Sequence, residues 1–290
     1  MRELILNVNN EQVDKTVGWL LVNHFKLSKR LITKLKQIPE GILLNGEHVT
    51  VRGVVKMGDE LKITMPQNKS PNVIPVEMPL EILYEDEDIL AVNKPQDMPV
   101  HPSLNNYDNT LGNAVMYYYR DKNFVFRAVN RLDRDTTGVV IIAKTPQASH
   151  NLSLQMQKGI FKKTYLCITE GVPTVLKGEI NAPIRREQES IIKRIVADDG
   201  KMAVTQYEVL EENGKNALIK VNLLTGRTHQ IRVHFSHIGF PLKNDFLYGT
   251  QQGDEKFMLH CSEIKFNHPV TKETLTIKAP TPYYMKIQKN

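Results

Sequence analysis

The sequence predicts an α+β protein in two parts: a small N-terminal helix–hairpin unit, then a larger domain on a large sheet with flanking helices. Three observations predict this. The stretch PQNKSPNVIPVEMP, residues 66–79, holds four prolines and little periodicity, so it reads as an extended linker. Before it, apolar residues recur at helical spacing and are followed by a hairpin signal. After it, short apolar runs alternate with amphipathic stretches. The expected division is 1–66, a linker at 67–79, and 80–290, in keeping with a length of 290 residues and about 100–200 residues per domain.

In the first unit, Val13, Val17, Leu20, Leu21 and Phe25 mark one helix face. Leu27, Leu31, Leu35 and Ile38 mark a second, with Ser28 as its N-cap. This second helix region carries Lys26, Lys29, Arg30, Lys34 and Lys36 and no acidic residue. Such a stripe is either an RNA-binding face or a solvated one. GILLNGEHV reads as strand, Asn45–Gly46 turn, strand, and MGDELKITM adds another strand.

In the larger unit, DILAVNKP is a strand ending at proline, and NTLGNAVMYYYR is a helix capped by Asn109. GVVIIAKT is a buried strand, and PQASHNLSLQMQKG is a helix with Pro146 near its start and Gly159 past its end. KTYLCITEG, MAVTQYEVLE and ALIKVNLL are further strands, and RTHQIRVHFSHIGFP is a helix stopped by Gly239 and Pro241.

Composition narrows the function. With 41% hydrophobic and 24% charged residues the chain can build a core, which excludes wholesale disorder. Apolar runs such as residues 139–143 fall far short of the roughly 18–20 residues that span a bilayer. The N-terminus lacks the pattern of a secretory signal, so a cytoplasmic protein with no membrane partner is expected. Two cysteines, Cys167 and Cys261, are too few for a disulfide framework or metal knuckle and read as buried thiols. A net charge of +6 is compatible with a polyanionic partner without requiring one.

The densest polar cluster is NRLDRDTTG, residues 130–138, directly before the buried strand. It either presents a reactive carboxylate or is a turn whose Asp and Thr side chains cap backbone groups. In TGRTHQIRVHFSH, His229, His234 and His237 lack the intervening Glu of a zincin helix and read as packed or hydrogen-bonded. Arg227 and Arg232 supply forks for carboxylate or phosphate. No Walker loop, no G-x-G-x-x-G and no G-x-S-x-G is present.

NRLDRDTTGVVIIAK resembles the catalytic motif of RNA pseudouridine synthases of the Rlu type, HRLD-x-x-[ST]-[ST]-G. NKPQDMPVHPS, KKTYL, TGRTHQIRVHFSHIGFPLKNDFLYG and FMLHCSEIKFNHPVT resemble further segments of that family, in its order, between Asn93 and Thr271. The N-terminal unit is similar to the small RNA-binding domain of ribosomal-protein-S-four type, carried by LLNGEHV and VKMGDEL. Two departures stand out: Asn130 replaces the family's usual His, and Gln96–Asp97 replaces a commoner Ala-Gly.

The resemblance implies a catalytic domain on a mixed or antiparallel sheet that isomerises uridine to pseudouridine in structured RNA. It implies Asp133 as the catalytic residue and Arg232 as its partner. Tyr165 and Leu259 would pack on the uracil, and Arg131 and Arg227 would contact the RNA backbone. Lys26, Lys29, Arg30, Lys34 and Lys36 would bind RNA. No cofactor and no metal is expected, and a monomer acting on rRNA, with tRNA next, is the expectation. Two other classes stay open at this point: a non-catalytic RNA-binding or ribosome-assembly protein, and a metal-dependent nuclease or hydrolase built on Asp133, Asp135 and the histidines.

Overall fold

Two separate sheets organise the chain in a computed structural model that describes residues 3–65, 73–190, 192–250 and 256–287, less the Arg30 side chain. The first comprises β1 (Glu3–Asn7), β2 (Ile42–Leu44), β3 (Glu47–His48) and β4 (Glu60–Thr64), in the order β1-β4-β2-β3 and antiparallel throughout. Helices α1 (Val17–Asn23) and α2 (Lys29–Leu35) close over it, burying Val17, Leu20, Leu21 and Leu35 against Ile42, Leu61 and Ile63. Their starts follow from side-chain caps: Thr16 accepts from Trp19 N and Ser28 from Leu31 N. The hairpin turns where expected, with Asn45 at φ 52° and Gly46 at φ 87°. Strand β1 was not read from the sequence. Its residues alternate between exposed and half-buried and it pairs with β4 on one side only, an edge strand with a weak pattern.

The first half of the linker, residues 66–72, lies outside the described residues. Residues 73–79 form no helix or strand and run along α3 (Leu111–Tyr118), where Asn113 Nδ2 donates to Ile74 O at 2.8 Å. That helix is capped by Thr110 in a capping box with Asn113, one residue beyond the expected Asn109.

The second sheet has nine described strands. In chain order they are β5 (Glu81–Glu85), β6 (Ile89–Lys94), β7 (Thr137–Ala143), β8 (Lys162–Glu170) and β9 (Lys177–Asn181). After the small ribbon of β10 (Ile184–Arg186) and β11 (Arg194–Val196) come β12 (Val204–Glu212), β13 (Asn216–Leu223), β14 (Leu259–Asn267) and β15 (Thr274–Lys278). The order is β5-β6-β7-β14-β8-β13-β12-β9, with β15 on β14; β7 and β14 are parallel and every other pair antiparallel. The sheet is therefore mixed and largely antiparallel. Every residue of β7 is buried, which is why it reads as an unbroken apolar run rather than an alternating one. Helix α4 (Pro146–Gln157) begins at a Thr145 cap with Pro146 in its first turn, and α5 (Gln230–His237) ends before Gly239 at φ 86°.

Gly138 decides how the centre of this sheet closes. It pairs with Cys261 across the parallel β7–β14 contact at φ 111°. A Cβ there would lie 2.2 Å from the Cys261 carbonyl oxygen, so only glycine lets the strands meet. Their junction brings the loop before β7, the start of β14 at Leu259, and Tyr165 of β8 opposite Cys261 to one end of the sheet.

Candidate active site

The loop of residues 130–136 is anchored at both ends by buried side chains. Asn130 is 2% exposed; its Oδ1 accepts from Ile141 N at 2.9 Å and its Nδ2 donates to Val139 O at 3.1 Å. It thus completes the β7 ladder with both halves of its amide. Lys94, at the end of β6, is fully buried, and its Nζ donates to the carbonyls of Pro95 (2.7 Å), Met98 (2.8 Å) and Arg134 (2.8 Å). Burial pushes this lysine down to about 7, opposed by Asp135, Asp133 and Asp97. Three carbonyl acceptors match the three N–H bonds of an ammonium and favour its charged form.

Between these anchors Asp133 projects into a cleft of about 320 Å³, a size usual for small-ligand sites. The six residues singled out from the sequence as catalytic or substrate-binding, Asp133, Arg131, Tyr165, Arg227, Arg232 and Leu259, all line it. Tyr165 and Leu259 are buried, while Arg131 and Arg227 are exposed at the rim. Burial raises the Tyr165 hydroxyl well above its ordinary range, and the nearby Asp133 carboxylate adds to this, so the phenol is neutral.

Arg232, on α5, stands 3.5 Å from Asp133 Oδ2 through Nη1. Its shorter bonds go elsewhere: Nε to Asp245 Oδ2 at 2.8 Å and Nη2 to Asp245 Oδ1 at 2.7 Å, a two-pronged pair buried at 3% and 0% exposure. Asp245 also accepts from Leu247 N and Tyr248 N. The rings of Phe246, Tyr248 and Phe257 lie 5.1–5.2 Å from the guanidinium carbon. Burial alone would lower the Arg232 pKa, and the neighbouring carboxylates, Asp245 foremost and then Asp133, together more than reverse it. Arg232 is therefore a fixed cation, aimed at Asp133 and oriented by a second carboxylate.

His229 sits at φ 57° just before α5, with Nδ1 2.9 Å from the Tyr248 hydroxyl and Nε2 3.8 Å from Asp133 Oδ2. Burial pushes its pKa below the ordinary histidine value, against the pull of Asp133. Arg194 N donates to the same hydroxyl, so Tyr248 ties the His229 ring to the β11 backbone while Nε2 faces Asp133. His234 is buried between Thr205 and Ala182, as expected of a packed histidine, and His237 is exposed. Asp135 is buried and paired with Arg134 at 2.9 Å, outside the cleft. Among the described residues no three His, Cys, Asp or Glu side chains gather as a metal site.

The RNA pseudouridylate synthase family profile matches residues 88–237, the span holding the Asp133 loop, Tyr165 and Arg232. The chain belongs to the RNA pseudouridine synthases. It is 38% identical over 263 residues to an uncharacterised RNA pseudouridine synthase of Bacillus subtilis, covering 89% of this chain and 93% of that one. It is 35% identical to the ribosomal large subunit pseudouridine synthase D of Pseudomonas aeruginosa, over 97% of this chain and 91% of that one. In structure it matches human RNA pseudouridylate synthase domain containing 1 with a TM-score of 0.62 at 25% identity, covering 72% of this chain and 86% of that one. As a pseudouridine synthase it is an isomerase of RNA.

Three residues of this synthase's site escaped the sequence reading. Lys94 and Asp245 both lie inside segments that carried the family resemblance, but nothing in a segment says that Lys94 reaches Arg134 O or that Asp245 receives Arg232. His229 was read only as packed or hydrogen-bonded; its nearness to Asp133 spans 96 positions of chain, for which no local signal exists. Arg227 lies before α5 rather than on it, its Nε bonded to Met202 O at 2.9 Å. Lys26, Lys29, Lys34 and Lys36 are exposed on or beside α2, and the Arg30 side chain lies outside the described residues.

Proposed function

We propose that this synthase modifies uridine in large-subunit rRNA, with Asp133 as its catalytic carboxylate and the target base taken out of its stack into the cleft between Tyr165 and Leu259. The observation that carries the reading is the convergence of a half-exposed carboxylate, a fixed guanidinium 3.5 Å away and two buried packing surfaces in one cleft. The carboxylate is aimed by Arg232, whose fixed positive charge stands beside it. Extruding a base costs a few kcal/mol, which stacking on Tyr165 and packing on Leu259 offset. Arg131 and Arg227, exposed at the rim, are placed for the phosphates on either side. The rRNA target is supported by the relatives named for the large ribosomal subunit.

The N-terminal unit is read as an RNA-binding module, its basic residues 26–36 neutralising phosphates away from the cleft. Removing residues 1–66 is then expected to weaken RNA binding and flatten its salt dependence, with the rate at saturating enzyme largely kept.

The test is a pseudouridine map of total RNA from cells with and without the protein, repeated with Asp133→Asn. Loss of one or more 23S-type rRNA sites in both the deletion and the variant is expected. A map whose lost sites fall in tRNA moves the substrate there, and an active Asp133→Asn removes the catalytic assignment.

A further inference from the structure

One charged group in the cleft has no role in the reading above. Lys163 lines it, two residues before Tyr165 on β8 and therefore on the same face of the strand. It is partly buried, and its ammonium lies beside the Gly226 backbone, 3.6 Å from where a Cβ on that glycine would sit. No hydrogen-bond acceptor and no carboxylate is paired with it among the described residues. Its electrostatic neighbour is the Cys261 thiol, which burial pushes up to about 12 and which is therefore neutral. A partly buried ammonium facing a cavity without an acceptor is costly, and desolvation accordingly lowers the Lys163 pKa. Every other charged group facing the cleft is accounted for: Asp133 by Arg232, Arg232 by Asp245, and Arg131 and Arg227 by solvent at the rim.

The position of Lys163 relative to Asp133 says what it is suited to hold. Both line the same cleft as Tyr165. Lys163 and Tyr165 project from one face of β8, roughly 6.6 Å apart along the strand at about 3.3 Å per residue, into the cleft that also holds Asp133. A base stacked on Tyr165 therefore has the Lys163 ammonium within reach of its ring carbonyls.

We propose that the Lys163 ammonium is a further catalytic group of this enzyme, holding a carbonyl oxygen of the target uracil and stabilising the negative charge on the detached base. This rests on the reading of the cleft as the base pocket. In the isomerisation the N1–C1′ bond breaks and its electron pair stays on the uracil, delocalised over N1 and the two carbonyl oxygens. After the ring turns, C5 supplies the pair for a new C5–C1′ bond, C5 loses its proton and N1 gains one, so composition is unchanged. The charged base exists only between these two bonds. A desolvated cation already in place is most effective against charge that appears at that moment.

The experiment uses the full chain in excess over RNA from cells lacking the protein, with single-turnover conversion and RNA affinity measured for wild type, Asp133→Asn, Lys163→Met and Lys163→Gln. An inactive Asp133→Asn upholds the pocket on which the proposal rests; an active one fails that reading and this one with it. With Asp133→Asn inactive, Lys163→Met and Lys163→Gln are expected to slow conversion about 100-fold, as loss of one preorganised donor does, with affinity and salt dependence unchanged. Wild-type conversion by either folded variant overturns the proposal. So does a loss confined to affinity with a shallower salt slope, which makes Lys163 a phosphate contact. Should both variants melt early, Lys163→Cys decides. Alkylation with 2-bromoethylamine, which restores an ammonium, is expected to recover the rate where iodoacetamide does not. No recovery overturns the proposal.

Discussion

Asp245→Ala is the substitution whose consequence the structure specifies most fully. It removes both short bonds to a guanidinium that is 3% exposed, and it strips the acceptor from Leu247 N and Tyr248 N. Breaking a buried ion pair from one side leaves an uncompensated charge and costs about 3–5 kcal/mol. At about 2–4 °C per kcal/mol for a domain of this size, the melting temperature should fall by roughly 6–20 °C. The double variant Arg232→Met/Asp245→Ala removes the stranded cation and places an apolar chain among Phe246, Tyr248 and Phe257. It should be more stable than Asp245→Ala alone, although it lacks the group aimed at Asp133 and should be inactive. Thermal unfolding of wild type, both single variants and the double variant forms the cycle, with single-turnover conversion as the second reading. A shift below about 2 °C for Asp245→Ala, or a double variant whose loss equals the sum of the singles, would refute the reasoning.

Gly138→Ala should cost at least about 3 kcal/mol in urea denaturation, because a Cβ at φ 111° meets the Cys261 carbonyl at 2.2 Å; an unchanged midpoint would contradict the closure described here. Asn130→Ala should cost about 1–3 kcal/mol for each unpaired group, Ile141 N–H and Val139 C=O, and slow conversion through a loosened loop. Asn130→His, which can also donate and accept, should keep most of the rate; equal losses in the two variants would count against this role. His260 is fully buried with Nδ1 2.8 Å from Thr137 Oγ1, and burial lowers its pKa from 6.5 to about 4. The unfolded chain takes up this proton at higher pH than the folded one, so stability present above about pH 6.5 is lost as pH falls toward 4. At pH 5 that amounts to about 2 kcal/mol. His260→Gln should flatten the dependence of the melting temperature on pH between 7 and 5, and an undiminished slope would show that other groups carry it.

Local signals in the sequence reached the local structure. Ser28 caps α2, Asn45–Gly46 turns the β2–β3 hairpin, Pro146 opens α4, and the apolar run of β7 marks a strand covered on both faces. Each rests on contacts between residues a few positions apart, which composition and spacing encode directly. The family and the six residues that line the cleft were legible for another reason: the loop of Asp133, the strand of Tyr165 and the helix of Arg232 each keep a chemical pattern that can be matched segment by segment.

Tertiary structure alone decided which of those residues answer to one another. Arg232 was expected to serve Asp133, yet its two short bonds go to Asp245, and Asp133 stands farther off at 3.5 Å. Lys94 grips the Asp133 loop from 40 positions away, and His229 and Lys163 reach the same cleft from the start of α5 and from β8. A charged side chain carries no mark of its partner in the sequence, because the partner is chosen by strand register and helix placement. In this chain that choice runs through the parallel contact of β7 with β14, which only a glycine at 138 allows to close.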